Sequence, residues 1–380
     1  MSFDLILGLV FLLAQWRLTV LILGRIRRRR PAILVLAALG VVISAGYACS
    51  FSEVIARLWF PAPVAVAFGA LTIFYLMIST AAVIIYTLLQ PIGKRLNADT
   101  DLSRRRVLNA AGGVLMATPL AAVAYGALVQ RTNFQIRETE IPLAGLPQDL
   151  DGFRILQLSD IHLGIFLSEK ELARVIDATR GLDPHIAFAT GDFISVPGDP
   201  LEACIRQLAR VRSDMGMFGC LGNHERYAHA EEQATEMAAA AGIRILRSQA
   251  QPIRVGNATI NVAGVDYQRF ADKRHYLRDA RSLVYPGALN ILLSHNPDVF
   301  PVAAQQGYHL TLAGHTHGGQ VTVEILDQEI NPARFFTPYV RGLYRLEQAA
   351  GYVTRGIGTI GIPARIGAPP EITLIRLRKA

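Results

Sequence analysis

The chain has 380 residues, of which 51% are hydrophobic and 18% are charged, and its formal net charge is +8. It is too long for one small domain and too apolar for an ordinary soluble protein. The positive charge belongs to residues 1–130, with twelve Lys or Arg against four acidic residues, whereas residues 131–380 hold 26 of each sign. The polar portion is therefore formally neutral, which argues against a nucleic-acid-binding face and means that no nucleic-acid partner is expected.

Four apolar stretches fill the N-terminal third, at residues 5–24, 31–50, 62–90 and 107–129. Each has the ~20 residues that a helix needs to cross a bilayer. The last three contain no charged residue, whereas Arg17 interrupts the first stretch, for which an interfacial helix is the alternative. We therefore predict a membrane region over residues 1–130 with three or four transmembrane helices.

Two basic loops, at residues 24–30 and 94–106, carry five positive charges each, while the loop near Glu53 and Arg57 is balanced. Cytoplasmic loops are enriched in Lys and Arg, so both basic loops are predicted to be cytoplasmic. The fourth apolar stretch then runs outward. This predicts a multi-pass inner-membrane protein whose remaining chain lies on the extracytoplasmic side.

The fourth stretch begins with SRRRVLNAAGG at residues 103–113, which looks like a twin-arginine export signal. The small residues Ala122 to Ala124 could serve as a cleavage site. A position a hundred residues into the chain is unusual for such a signal and favours an uncleaved anchor. Both interpretations send the rest of the chain outward.

After a linker at residues 131–152, short apolar runs alternate with polar or glycine-rich stops and amphipathic stretches. Strands are predicted at residues 153–158, 185–190, 217–221, 259–265, 290–294, 309–313, 321–325, 352–357 and 371–377. Helices are predicted at residues 169–180, 201–211, 231–241 and 298–305. Strands that alternate with helices predict an α/β domain over residues 153–380.

Unusual polar residues cluster where the predicted strands end, which is where open α/β sheets bind ligands. The strand ends read LQLSDIHLG, ATGDF, CLGNHE, LLSHNP and LAGHTHGGQ. They supply Asp160, His162, Asp192, Asn223, His224, His295, His315 and His317. Carboxylate, carboxamide and imidazole ligands without thiolate suit manganese, iron or zinc, and a set of this size has too many ligands for one ion. We therefore predict two divalent metal ions that share a bridging carboxylate.

The spacing of His315 and His317 carries its own prediction. In an extended backbone, residues i and i+2 point to the same side, so both rings would face one point. An isolated HxH is also compatible with a polar turn whose histidines face water. The other four histidines, for which we expect ordinary surface or core roles, are His185, His229, His275 and His309.

The ordered motifs D-x-H, GD, GNH-E, H and GH-x-H resemble the calcineurin-like metallophosphoesterase superfamily over about residues 153–320. The closing GIPARIGAPPEITLIRL resembles its bacterial, membrane-anchored branch. The resemblance implies an α/β fold of the αββα sandwich type, with two mixed sheets flanked by helices, here preceded by an α-helical membrane region. It implies one metal on Asp160, His162 and His317, another on Asn223, His295 and His315, and Asp192 as the bridge.

The same resemblance implies a phosphoesterase in which metal-activated hydroxide attacks phosphorus. His224 is the expected catalytic residue, placed to steady the phosphate or to protonate the leaving alkoxide. Many relatives carry an aspartate that orients this histidine, but Ser195 stands there, and Glu225 is a candidate substitute. Arg226 and Tyr227 follow His224 closely enough to be substrate-binding candidates.

The leading hypothesis is a membrane-held hydrolase of a phosphodiester or pyrophosphate, for which a lipid or a nucleotide-linked lipid precursor fits the anchor. A nuclease of the same superfamily is one alternative, although the neutral outer domain argues against it. A catalytically weak metal-binding scaffold at the membrane is the other alternative. The complete ligand set argues against the scaffold.

Overall fold

The computed structural model describes residues 3–26, 29–51, 61–98, 102–325 and 328–380. The chain divides into two compact units, one of residues 1–129 and 361–364, the other of residues 130–360 and 365–380. The basic loops at residues 24–30 and 94–106 fall partly outside the described residues, and the positions of Glu53 and Arg57 fall wholly outside them.

The described part of the first unit consists of long helices: α1 (Phe3–Leu23), α2 (Arg29–Phe51), α3 (Ala62–Ala98) and α4 (Leu102–Leu128). The four predicted apolar stretches are therefore helical. Windows long and apolar enough to cross a membrane lie at Ile6–Leu23, Arg30–Ser50, Ala62–Pro91 and Arg106–Thr132. These helices indicate that the protein associates with a membrane.

Helix α3 is the most enclosed of these helices. In its membrane-length segment 44% is buried, whereas only 17–22% is buried in the corresponding segments of the other three helices. It buries Phe74, Tyr75 and Leu76, whereas Leu34 of α2 and Val114 of α4 are largely exposed. The unit therefore presents apolar side chains outward, as a helical bundle surrounded by lipid does.

The second unit contains two six-stranded sheets among its described residues. The strands of the first sheet are, in spatial order, β1 (Gln135–Leu143), β14 (Glu371–Lys379), β2 (Arg154–Leu158), β3 (Ile186–Thr190), β4 (Met217–Cys220) and β5 (Ile243–Ile245). Those of the second are β12 (Gly342–Leu346), β13 (Ala349–Val353), β9 (Leu310–Ala313), β8 (Leu289–Leu293), β7 (Ala258–Gly264) and β6 (Gln249–Val255). A separate antiparallel pair joins β10 (Val323–Ile325) to β11 (Gln328–Ile330).

Both large sheets are mixed. In the first sheet, β2 to β5 run parallel while β14 is antiparallel to β2, and in the second sheet β13, β9, β8 and β7 run parallel between antiparallel edges. The helices of this unit are α5 (Glu169–Ala178), α6 (Leu201–Leu208), α7 (Asn223–Tyr227), α8 (Glu231–Ala240) and α9 (Phe300–Gln306). All four predicted helices are present: α5, α6 and α8 end earlier than expected, whereas α9 starts two residues later and ends one residue later than expected.

The core has a layer between the sheets and a layer on each outer face. Phe188 of β3 packs with Ile291 of β8 between the sheets. Leu156 of β2 faces the other way and packs with Val175 of α5, because side chains alternate along a strand. A smaller cluster that includes Leu292 and Ala303 covers the outer face of the second sheet. This arrangement confirms the predicted αββα sandwich.

Two segments differ from the expectations. Residues 135–143, expected to be a linker, form edge strand β1, whose mostly exposed side chains give no clear hydrophobic alternation. Residues 354–357, predicted as strand, leave the sheet after Val353, and the backbone N–H of Ile357 donates to the carbonyl of Ser159. Their backbone hydrogen bonds therefore support the loop that follows β2. Strands β5, β6, β11 and β12 were not predicted.

Candidate metal centre

The predicted ligands lie at one edge of the two sheets. Asp160 follows β2, Asp192 follows β3, Asn223 follows β4, His295 follows β8 and His315 follows β9. In the first sheet β2, β3 and β4 run parallel to one another, and in the second sheet β8 and β9 run parallel. Within each sheet, the carboxyl ends of these strands therefore lie side by side. The site lies where α/β sheets commonly bind ligands.

Three groups of side chains have ligand atoms within 4.8 Å of one another. They are Asp160 with His162 and His317, His162 with Asp192 and His224, and Asp192 with His295 and His315. Asn223 is buried and precedes His224, whose backbone N–H donates to Asp192. The structure thus brings seven of the eight predicted side chains together and holds the backbone beside Asn223 at Asp192, while their role as ligands stays a prediction.

The HxH pair does not have the extended backbone assumed from its spacing. His315 and His317 have φ angles of 74° and 52°, and a 3-10 helix begins at His317. The two rings consequently join different groups, one with Asp192 and one with Asp160. The expectation that both rings face one point was wrong because the chain turns in the left-handed region instead of continuing as a strand.

Left-handed backbone is a general feature of this site. Asp160, His162 and Asp192 also have positive φ, between 48° and 56°. For residues other than glycine this conformation is uncommon and costs about 1 kcal/mol or more each. Such strain clusters at functional sites, where the surrounding structure holds it in place.

Asp192 lies between the two sets of imidazoles. Its Oδ2 is 3.0 Å from Nε2 of His295 and 3.4 Å from Nε2 of His162. Its Oδ1 accepts a hydrogen bond of 2.9 Å from the backbone N–H of His224. One carboxylate therefore faces His295, which belongs to the group of His315, and His162, which belongs to the group of Asp160 and His317; this is the position that a bridging ligand requires.

Several buried polar atoms of the site have no hydrogen-bond partner in the described part of the chain: Oδ2 of Asp160, Oδ1 of Asn223 and Nε2 of His295. The 3.0 Å contact of His295 with Asp192 lacks hydrogen-bond geometry. Nε2 of His162 and Nε2 of His317 also face each other at 3.2 Å. Leaving such atoms unsatisfied costs ~1–3 kcal/mol each. Converging oxygen and nitrogen lone pairs fit divalent cations.

Burial and neighbouring charges shift the pKa values of several groups in the site, in opposite directions. Burial opposes ionisation of Asp192, yet His295 and His162 hold its pKa well below the ordinary value. Burial would lower the pKa of His295, but the charge of Asp192 raises it to about 10. Burial and neighbouring imidazoles lower the pKa of His315 to about 3, so its ring is neutral, as metal ligation requires.

Backbone carbonyls orient two of the imidazoles. Nδ1 of His295 donates to the carbonyl of Thr190 at 2.7 Å, and Nδ1 of His224 donates to the carbonyl of Ser195 at 2.6 Å. In neutral imidazoles this leaves Nε2 as the acceptor. Ser195 therefore orients His224 through its main chain.

Glu225 does not orient His224, contrary to the suggested substitution. Its buried carboxylate accepts hydrogen bonds from the backbone N–H groups of Asp192, Phe193 and Gly222 at 3.0, 2.7 and 2.8 Å. It thereby ties the loop after β3 to the loop after β4. A Cβ atom at Gly222 would collide with Oδ1 of Asp192, so this close approach requires glycine.

Arg365 is a functional candidate that was not predicted. It is fully buried, and its donors reach the carbonyls of Gly358, His317, Ala368 and Arg355 at 3.0, 3.2, 2.9 and 2.9 Å. Burial lowers the pKa of Arg365 to about 10, so it stays charged at neutral pH. It joins the His317 loop to the segment after β13. The signal available in the sequence was an arginine inside the closing motif.

The substrate-binding candidates lie at the mouth of the site. Arg226 and Tyr227 are exposed, and the Tyr227 ring is 5.5 Å from the His224 ring. Tyr267, which was not predicted, has its ring 5.5 Å from that of His315 and 6.1 Å from that of His295. It follows β7 in a segment without a recognisable motif, so only the fold brings it here.

Comparisons with known proteins identify metallophosphoesterases as relatives of this chain. The sequence family described as calcineurin-like phosphoesterase matches residues 153–319. The chain is 33% identical over 288 residues to a Danio rerio "Transmembrane protein with metallophosphoesterase domain", covering 70% of this chain and 62% of that protein. This chain therefore spans less than two thirds of that relative.

Two bacterial relatives are covered more completely. An "Uncharacterized metallophosphoesterase" of Aquifex aeolicus is 30% identical over 255 residues, 64% of this chain and 92% of that protein. "Phosphodiesterase YaeI" of Escherichia coli is 27% identical over 241 residues, 62% of this chain and 86% of that protein. Both relatives match this chain along most of their own length.

Proposed function

The chain belongs to the calcineurin-like metallophosphoesterase family of metal-dependent phosphoester hydrolases, and we propose that it hydrolyses a phosphodiester or pyrophosphate with two divalent metal ions. The observation that carries this proposal is the position of Asp192, whose Oδ2 lies between His295 and His162 at 3.0 and 3.4 Å. One metal, of manganese, iron or zinc, would be held by Asp160, His162 and His317. The other would be held by Asn223, His295 and His315, with Asp192 shared.

When bound, such ions neutralise charge on phosphoryl oxygens and lower the pKa of water. His224 supplies the proton for the leaving oxygen through Nε2, because its Nδ1 already donates to the carbonyl of Ser195. Burial lowers the pKa of His224, so its protonated form gives up a proton readily. Tyr227, whose ring lies 5.5 Å from that of His224, would contact the leaving group.

Hydrolysis of bis-p-nitrophenyl phosphate by the full-length protein in detergent tests the proposal. We expect turnover that chelation abolishes and that Mn²⁺, Fe²⁺ or Zn²⁺ restores. Asp192→Asn should remove this turnover because an amide bridges two cations poorly. Metal binding without turnover of any phosphoester would favour the scaffold alternative, and preference for single-stranded DNA would favour the nuclease.

The proposal extends to a multi-pass inner-membrane location with the second unit on the extracytoplasmic side. Support comes from the five positive charges in each of the loops at residues 24–30 and 94–106. Cysteine substitutions labelled with a membrane-impermeant thiol reagent in intact cells test the side. We expect a cysteine in place of the exposed Arg254 to be labelled and a cysteine in the loop at 94–106 to be protected. The reverse pattern would contradict the proposed orientation.

We also propose a lipid or nucleotide-linked lipid precursor as the substrate. Besides the apolar helices, support comes from Phe335 and Phe336, whose side chains are 86% and 75% exposed. They follow Asn331, whose Nδ2 donates to the carbonyl of Gly318 at 3.1 Å. Gly318 is the residue after the candidate ligand His317, so this segment is attached to the loop that carries His317. Adjacent exposed aromatic residues suit the interface of a bilayer.

The double variant Phe335→Ser with Phe336→Ser tests the lipid substrate. We expect it to lower hydrolysis of a phospholipid in vesicles about tenfold, because these rings no longer enter the interface. Turnover of soluble bis-p-nitrophenyl phosphate serves as the internal control. Equal loss on the soluble and vesicle-borne substrates would contradict the bilayer contact.

A further inference from the structure

Two adjoining clefts open beside Arg226 and Tyr267, with volumes of about 500 Å³ and 680 Å³. They share three lining residues, Arg226, Tyr267 and Arg269. Arg226 belongs to α7, whereas Tyr267 and Arg269 belong to the segment that follows β7. The shared wall is therefore built from the loops of both sheets.

This shared wall adjoins the metal centre. The Tyr267 ring lies 5.5 Å from His315 and 6.1 Å from His295, two of the candidate ligands. Tyr227, next to Arg226, packs edge-on against His224 at 5.5 Å. A substrate whose phosphorus lies at the metal centre would consequently extend its remaining groups between Arg226 and Arg269.

The wall is held in place by hydrogen bonds, two of them from a buried side chain. Asn296, the fully buried residue after His295, donates through Nδ2 to the carbonyl of Gln268 at 2.6 Å and to the hydroxyl of Tyr276 at 3.1 Å. Oε1 of Gln268 accepts from the backbone N–H of Leu277 at 3.2 Å. The segment that carries Tyr267 and Arg269 is thus fastened to the strand end of a candidate ligand.

The two arginines of the wall have no carboxylate partner among the described residues, in contrast to Arg247 nearby. The guanidinium of Arg247 forms a paired contact with Asp266, with Nε–Oδ1 and Nη2–Oδ2 distances of 3.0 Å. Other charged residues line only one of the clefts: Asp272, His275, Arg278 and Asp279 the first, and His229 and Glu231 the second. The wall common to both clefts carries positive charge alone.

We propose that Arg226, Arg269 and Tyr267 form a subsite for a second phosphoryl group. The subsite selects phosphoanhydride diesters, in which a second phosphate is bonded to the scissile one. Guanidinium groups match phosphate oxygens in pairs of charge-assisted hydrogen bonds, and the Tyr267 hydroxyl adds a donor. This inference rests on the proposed function, because the scissile phosphoryl group must lie at the metal centre.

The reaction at such a substrate balances as a hydrolysis. The oxygen of water forms a bond to the scissile phosphorus, and the bond from that phosphorus to the bridging oxygen breaks. The bridging oxygen keeps the electron pair and leaves on a phosphate monoester held by Arg226 and Arg269. One proton of the water is released or passes through His224 to the leaving phosphate.

The test compares two substrates on the full-length protein in detergent: bis-p-nitrophenyl phosphate, with one phosphorus, and uridine diphosphate glucose, with a phosphoanhydride. Arg226→Ala and Arg269→Ala should each lower kcat/KM on the phosphoanhydride about tenfold more than on the single-phosphorus diester, mainly through KM. Arg226→Lys should recover part of the loss. Arg281→Ala is the matched control, since Arg281 is exposed on a neighbouring 3-10 helix and lines neither cleft.

The outcomes separate this inference from the proposed function. Turnover of bis-p-nitrophenyl phosphate without turnover of any phosphoanhydride would overturn the subsite and leave the hydrolase standing. Equal losses on both substrates would also overturn it. Failure on both substrates with every metal would overturn both. Cytidine diphosphate diacylglycerol in vesicles, assayed alongside, shows whether the phosphoanhydride is lipid-borne or soluble, and either source should lose turnover in the arginine variants.

Discussion

Replacing Glu225 with glutamine tests whether a buried anion holds together the loop that carries Asp192 and the loop that carries Asn223. The carboxylate is fully buried. Oε1 accepts from the backbone N–H of Phe193 at 2.7 Å and of Ile194 at 3.4 Å. Oε2 accepts from the backbone N–H of Asp192 at 3.0 Å and of Gly222 at 2.8 Å. Four donors therefore converge on one side chain.

The cost of Glu225→Gln follows from this geometry. The amide replaces one oxygen by a donor, so two of the four N–H groups lose their acceptor. Each loss at a charged acceptor costs ~1.5–3 kcal/mol, which gives about 3–6 kcal/mol in the free energy of unfolding. For a domain of this size, the melting temperature should fall by roughly 6–24 °C.

The assay is thermal unfolding of the full-length protein in detergent, combined with the metal content after dialysis. Glu171→Gln is a matched control, because Glu171 also lies in the first turn of a helix and accepts from the backbone N–H of Ser168 at 2.8 Å. Its side chain is only partly buried, and the substitution should cost about 1 kcal/mol in the free energy of unfolding. Only the Glu225 variant should also lose metal.

An unchanged melting temperature in the Glu225 variant would refute this reasoning. Burial and the charge of Asp192 raise the pKa of Glu225, whereas the backbone donors oppose that rise. A protonated Glu225 would be replaced by glutamine at little cost. A silent substitution would therefore show that the side chain is neutral and that no anion holds the loops.

Three further predictions concern catalysis, pH and metal. His224→Ala should lower turnover about 10²–10⁴-fold with metal content unchanged, and loss of metal would instead make His224 a ligand. Nδ1 of His309 accepts from the backbone N–H of Asn290 at 3.0 Å, and burial lowers the pKa of His309. Its contribution to stability should be complete above the unfolded-state pKa of ~6.5 and should be lost as pH falls below that value. His309→Gln should reduce this loss of unfolding free energy at low pH, as measured by denaturant titrations at several pH values. An unchanged pH dependence would contradict this role of His309. Chelation should lower the melting temperature of the second unit and added Mn²⁺ should restore it, unless the site binds no metal.

The membrane helices and the candidate ligands were predictable because their signals are local. A helix that crosses a bilayer is specified by about twenty consecutive apolar residues. The candidate ligands were recognisable because Asp160, Asp192 and His295 each follow a short apolar strand, and parallel strands end at a common edge. Neither argument needed the distant parts of the chain.

Other features depended on partners far apart in the sequence. Strand β1 is an exposed edge, and it exists because Gln135 to Leu143 pair with Glu371 to Lys379 at the other end of the chain. The structural role of Glu225 could not be predicted from the sequence, because its partners are backbone N–H groups, which do not form part of any side-chain motif. Arg365 was overlooked for the same reason, since its partners are carbonyl groups.

The sequence by itself determined that the chain carries an apolar helical region and a set of side chains whose chemistry suits metal ligation, since hydrophobicity and ligand chemistry belong to the residues. Only the tertiary structure decided how those side chains are grouped. His162 and His317 lie 155 residues apart, yet their Nε2 atoms are 3.2 Å from each other. That contact requires the packing of two sheets, and the left-handed turns at His315 and His317 send neighbouring rings to different groups.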